Sequence, residues 1–96
     1  MTLRSLAKDQ SCIRCGANDG TVVGAHYTGI RRGAYGGGLG KKAHDICIAH
    51  LCMGCHTLMD YGSRCKDEKW LHSEEFQHLI LLTLIRLWKQ GKIGLL

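Results

Sequence analysis

Proline is absent from the 96 residues, phenylalanine occurs once, and acidic side chains number only 8. No internal repeat and no long linker interrupts the chain, so one small domain over residues 1–96 is the expected organisation. Long apolar runs are missing too. The longest charge-free apolar stretch, "LILLTLI" at 79–85, is far too short to cross a bilayer, so no membrane role is expected. The opening "MTLRSLAKDQ" has no apolar signal region, and a cytoplasmic location is expected. A chain this short has little core of its own and commonly relies on a metal, disulfides or a partner.

What the chain does have is six cysteines, six histidines and 13 glycines. Inside a cell, cysteines are more often metal ligands or free thiols than disulfides. Cys12-x-x-Cys15 and Cys52-x-x-Cys55 each place two sulfurs where a tight turn can offer them to one tetrahedral ion. Gly16 supplies the conformational freedom that the first turn needs. These four residues are the expected structural zinc ligands. The rival readings are two reducible disulfides, four buried thiols, or a redox role for the paired cysteines. Cys47 and Cys65 lack the spacing and read as a strand thiol and an incidental one.

The pattern along the chain is α+β. A helical turn is expected at 3–8, a strand at 21–27, a six-glycine loop at 28–42 and a covered strand at 45–51. A short helix should start near Cys55 and stop about Gly62. A longer one should start at Ser73 as N-cap, with Glu74 and Glu75 in its first turn, and end at Gly91. This second helix is apolar nearly all round from Leu79 to Trp88. One face should cover the strands, and the other is expected to pair in a homodimer.

The formal charge is +5, which favours a polyanionic partner. Between Thr21 and His44 the charged residues are all basic: Arg31, Arg32, Lys41 and Lys42, bracketing "GAYGGGLG". Glycines let a backbone approach phosphates, and the basic pairs attract them without regard to sequence. Tyr35, within this loop, is read either as a base-stacking residue or as part of a solvated loop.

His56 and Asp60 directly follow the second cysteine pair, four residues apart, so on a helix they share a face. Taken alone the pair is weak evidence for a metal site, since most such pairs are a solvated His and Asp on an exposed helix. His26 ends the first expected strand and Asp45 opens the second, so a hairpin packed on the short helix would gather all four near the cysteines. A histidine beside a metal-bound phosphate can take a proton from water. His50, His72 and His78 have no partner at ligand spacing and read as packed or half-exposed side chains.

"AHYTG", the glycine-rich loop and then "HDICIAHLCMGCHTLMD" resemble the HNH, or ββα-metal, endonuclease motif. More narrowly, nearly the whole chain is similar to the YbcO-like family of small phage-encoded nucleases. The resemblance implies a small zinc-stapled ββα-metal domain, treble-clef-like, with a long C-terminal helix. It implies a metal-dependent DNA endonuclease, in the host cytoplasm if phage-encoded. His26 would be the general base, and His56 and Asp60 the helix ligands of a catalytic ion. Asp45 would complete the metal shell or orient His26, with His44 beside it as the alternative. Many HNH enzymes carry a ligand just before the base; here that residue is Ala25, so the ligands fall on Asp45, His56 and Asp60. An aspartate in place of a second helix histidine favours magnesium or manganese. Arg31, Arg32, Lys41 and Lys42 would contact DNA phosphates. A different class of function keeps the same cysteines and basic loop: a non-catalytic treble-clef zinc module that binds DNA or a phage protein.

Overall fold

The computed structural model describes residues 5–29, 32–37, 42–62 and 69–93, with the side chains of Arg32, Asp60, Tyr61, Lys69 and Trp70 outside that description. It is a small α+β arrangement. Strands β1 (Val23–His26) and β2 (Ile48–Leu51) pair antiparallel, with Val23 opposite Leu51 and His26 opposite Ile48. Helix α1 (Met53–Gly62) follows β2 after the single residue Cys52, and α2 (Lys69–Lys89) packs against β2. A 3₁₀ turn at Ser5–Asp9 closes against β1.

Burial explains the sheet. All four β2 residues are buried, as its apolar run predicted, while on β1 only Ala25 is. The facing pair Ala25 and Ala49 is fully buried, and residues this small let the neighbouring layers close over the hairpin. At its open end the fully buried Tyr27 forms the centre of an aromatic group. Tyr35 and Phe76 each meet its ring edge-on at 5.5 Å, contacts worth about 0.5–1.5 kcal/mol apiece beyond their burial.

Gly29 lies against the same ring. A β-carbon there would come within 2.6 Å of Tyr27 Cε1, and Tyr27 is only 1% exposed, so the ring has nowhere to move. Gly29→Ala is expected to cost about 1–3 kcal/mol by overpacking. A thermal melt should show the midpoint falling by several degrees; an unchanged midpoint would mean the ring is not held as described.

Four local expectations are corrected. The segment read as an irregular loop contains a 3₁₀ turn, Arg32–Tyr35, followed by Gly36 at φ +90°. The carbonyl of Tyr35 accepts from the His44 N–H at 2.8 Å, its ring packs on Tyr27, and its hydroxyl accepts from Gln77 at 3.2 Å. Tyr35 is thus a half-buried packing residue rather than part of a solvated loop.

α1 begins at Met53, two residues earlier than expected, because its first N–H groups find partners. Met53 N–H donates to the Thr21 hydroxyl at 3.1 Å, which in turn donates to Asp19 at 2.6 Å. α2 begins at Lys69, and Ser73 lies inside it, 5% exposed. Ser73 belongs to a buried stripe with Phe76, Ile80, Thr83 and Leu87, and packing overrides its capping preference. The other end of α2 is as expected. Gly91 takes φ +73°, its N–H meets the Trp88 carbonyl at 3.0 Å, and Lys92 N–H meets that of Leu87 at 2.9 Å.

Candidate metal centre and the adjoining histidine site

The first cysteine pair lies on a tight turn. Gly16, at φ +80°, donates its N–H to the Cys12 carbonyl at 2.9 Å, and Cys15 N–H points at Cys12 Sγ at 3.5 Å. The turn is tied to the sheet by Ile13 N–H donating to the His50 carbonyl at 2.8 Å. On the other side Cys52 immediately precedes α1 and accepts the His56 N–H at 2.8 Å, which puts Cys55 in the helix's first turn. The four sulfurs lie within 4.8 Å of one another, with Cys15 and Cys52 at 3.7 Å. A tetrahedral zinc with Zn–S bonds of about 2.3 Å requires sulfurs about 3.8 Å apart. The four cysteines could therefore hold a metal ion such as zinc, and among the described residues no other set of three or more ligand side chains converges in this way.

Electrostatics within the cluster are uneven. Burial raises the Cys12 thiol, but backbone N–H groups of Cys15 and its neighbours outweigh it and bring Cys12 down to about 6. The Ala17 backbone favours the Cys15 thiolate, yet the adjacent Cys12 and Cys52 sulfurs leave its thiol raised. Burial pushes Cys55 up to about 12 against the pull of Arg14. Cys12 thus forms its thiolate readily, while Cys15 and Cys55 hold their protons more tightly, and a bound cation would have to displace them.

Arg14 is the residue that sequence reasoning missed. Its Nη1 lies 3.7 Å from Cys55 Sγ while its Nε bonds Glu75 on α2 at 3.1 Å. It bridges the cysteine turn, a ligand sulfur and the long helix. Its place between Cys12 and Cys15 was the only available signal.

The expected catalytic residues divide. His26, at the end of β1, meets Asp45 in the turn before β2, with Nε2 and Oδ1 at 2.8 Å. The His26 side chain is 9% exposed and that of Asp45 56%. A cleft of about 420 Å³ is lined by both, with Gly36, Lys42, Ala43 and His44. His26 also borders a second hollow, with Gly24, Thr28, Lys42 and His56. Of the neighbours His44 and Asp45, it is Asp45 that bonds His26; His44 instead packs near Gly36. The side chain of Asp60, one turn beyond His56 on α1, lies outside the described residues. Arg31, Lys41 and Cys65 lie outside them too, as does the Arg32 side chain, so Lys42 is the basic-loop residue seen at the site. Thr28 lines the second hollow, and its Oγ1 is buried with no hydrogen-bond partner among the described residues.

No family model, curated protein or solved structure matches this chain. Its reading therefore rests on its own geometry. His50 is fully buried, its N–H donating to Thr83 Oγ1 at 3.2 Å, in keeping with a packed side chain. Cys47 sits just before β2, half-buried, its thiol raised by burial. No described helix is long and apolar enough to cross a membrane.

Proposed function

We propose that the chain is a metal-dependent DNA endonuclease of the HNH, ββα-metal type, built on a treble-clef-like zinc site. The observation that carries this reading is the 2.8 Å His26–Asp45 pair, set between two hollows that share Lys42, one of them bordered by His56. The order of parts supports it: a cysteine turn, an antiparallel pair, and a helix whose start bears the second cysteine pair and then His56.

In this mechanism Asp45 holds the proton on His26 Nε2, which leaves Nδ1 as the basic nitrogen. Nδ1 takes a proton from the attacking water as the water adds to phosphorus. Lys42 holds the phosphate in place, aided by Arg31, Arg32 and Lys41 along the backbone. The P–O3′ bond breaks and the departing 3′ oxygen takes a proton from solvent water, leaving 5′-phosphate and 3′-hydroxyl ends. A magnesium or manganese ion held by Asp45, His56 and Asp60 would polarise the phosphoryl oxygen and stabilise the leaving alkoxide. Of those ligands the described side chains are Asp45 and His56, and Asp45 already bonds His26 through one oxygen.

The test is nicking of supercoiled plasmid with magnesium or manganese by the wild type and by a zinc-loaded His26→Ala variant. Asp45→Asn should retain zinc and lose about tenfold to a hundredfold in nicking rate, because the amide holds the imidazole more weakly. A variant as fast as wild type would remove Asp45 from the mechanism.

The alternative reading is a non-catalytic zinc module that binds DNA or a phage protein. Two observations favour it: among the described residues only the cysteines form a convergent ligand set, and Ala25, before His26, is fully buried. It predicts salt-sensitive DNA binding without nicking.

A further inference from the structure

Helix α2 bears two stripes. The buried one, from Ser73 to Leu87, faces the sheet. The second consists of Leu71, Glu74, His78, Leu81, Ile85 and Trp88, at alternating spacings of three and four residues, and all six are exposed. Leu81 is 59% exposed, Ile85 47% and Trp88 52%, an unusual concentration of large apolar groups on one face of a small basic protein. This spacing is the heptad seam of paired helices.

We infer that a second copy of this chain covers the seam, with the two α2 helices antiparallel. The charges choose both occupant and direction. The seam is acidic at its start, at Glu74, and apolar at its centre; Lys89 and Lys92, both exposed, lie at its end. A parallel pairing would set Glu74 against Glu74 and the lysines against lysines. The antiparallel pairing layers Leu81 on Ile85 of the second copy and His78 on its Trp88. Glu74 then lies by the helix end that bears Lys89 and Lys92, where both the lysines and the opposed charge of the two helix ends are favourable. The arrangement is isologous, so each contact occurs twice and the assembly closes as a dimer. Beside Leu81 an apolar hollow lined by Tyr35, Cys47, Gln77 and Ile80 opens along the seam. It gives the indole of Trp88 from the second copy a place to enter.

The experiment is sedimentation equilibrium of the zinc-loaded full chain, with near-UV circular dichroism to establish folding. The wild type should be a dimer in the micromolar range. Leu81→Lys should weaken dimerisation by about thirtyfold or more, as removal of a central apolar anchor does. Glu74→Lys alone should weaken the dimer, and adding Lys89→Glu with Lys92→Glu should restore it. A folded wild type that stays monomeric, or a dimer that survives Leu81→Lys, overturns the inference. A charge swap that fails to restore the dimer overturns the antiparallel direction. None of these readouts involves DNA cleavage, so they stand or fall apart from the nuclease reading.

Discussion

Stripping the metal with a strong chelator is expected to unfold the protein, and Cys52→Ser or Cys12→Ser should prevent folding outright. Structural zinc contributes about 10–16 kcal/mol in small domains, as much as or more than the total stability of about 5–15 kcal/mol of an ordinary domain. An ion held by the four cysteines would tie this fold together at two points. The Cys12–Cys15 turn is fixed to β2 through Ile13, and the Cys52–Cys55 pair forms the junction between β2 and α1. Without the ion, four sulfurs within 4.8 Å include thiols held in close, unfavourable company. Far-UV and near-UV circular dichroism during chelation would show cooperative loss of both signals. Signals that persist would make the cysteines incidental to folding.

The same cluster sets a pH dependence. Cys12 titrates at about 6, so near neutrality it is already a thiolate, whereas Cys15 is raised above its ordinary value and Cys55 stands at about 12. Metal uptake near pH 7 must therefore expel at least the protons of Cys15 and Cys55. Affinity should rise with pH, by at least about a hundredfold per pH unit for two or more protons released, and fall still more steeply below pH 6 as Cys12 also protonates. Competition with a chromophoric chelator at several pH values would measure the slope. A flat profile would mean that the thiolates exist before the metal arrives.

The sequence made the four-cysteine cluster legible because ligand spacing is a local property: two x-x intervals and a glycine determine which sulfurs can meet. The two strands and the end of α2 at Gly91 were legible for the same reason, as short patterns with local causes. What it could not reveal was set by tertiary packing. Ser73 looked like a cap and became a buried helix residue, because the stripe through Phe76 and Leu87 extends past it. Tyr35 stood in a glycine-rich loop, and only the fold brings Tyr27 and Gln77 to it. Arg14 acquires its role from Glu75, 61 residues away. At the histidine site, sequence reasoning paired His26 with Asp45 across 19 residues, and the fold does bring them into contact. It preferred Asp45 narrowly and left His44 as the alternative, a question that only side-chain direction could decide.

His26→Ala is expected to abolish plasmid nicking while leaving zinc content and DNA affinity intact. The separation follows from where His26 lies. It ends β1 opposite Ile48, outside the cysteine cluster, and its side chain is bonded to Asp45 rather than to any core group that the hairpin needs. The side chain is largely buried, so truncation will cost some stability, and circular dichroism together with zinc content must show the variant folded. Its kinetic cost should be that of a general base, about 10²–10⁴-fold, because water at neutral pH is a poor nucleophile until a proton is removed during attack. Lys42 provides the contrast. It lines both hollows beside His26, so Lys42→Ala should weaken DNA binding and lessen its dependence on salt, with a smaller effect on the cleavage step. Single-turnover nicking at saturating protein separates the two roles: the Lys42 defect should shrink and the His26 defect should remain. If His26→Ala nicks at the wild-type rate, the imidazole is not the base. If neither the wild type nor the variant nicks, while both hold zinc and bind DNA in a salt-sensitive way, the His26–Asp45 pair serves a binding module.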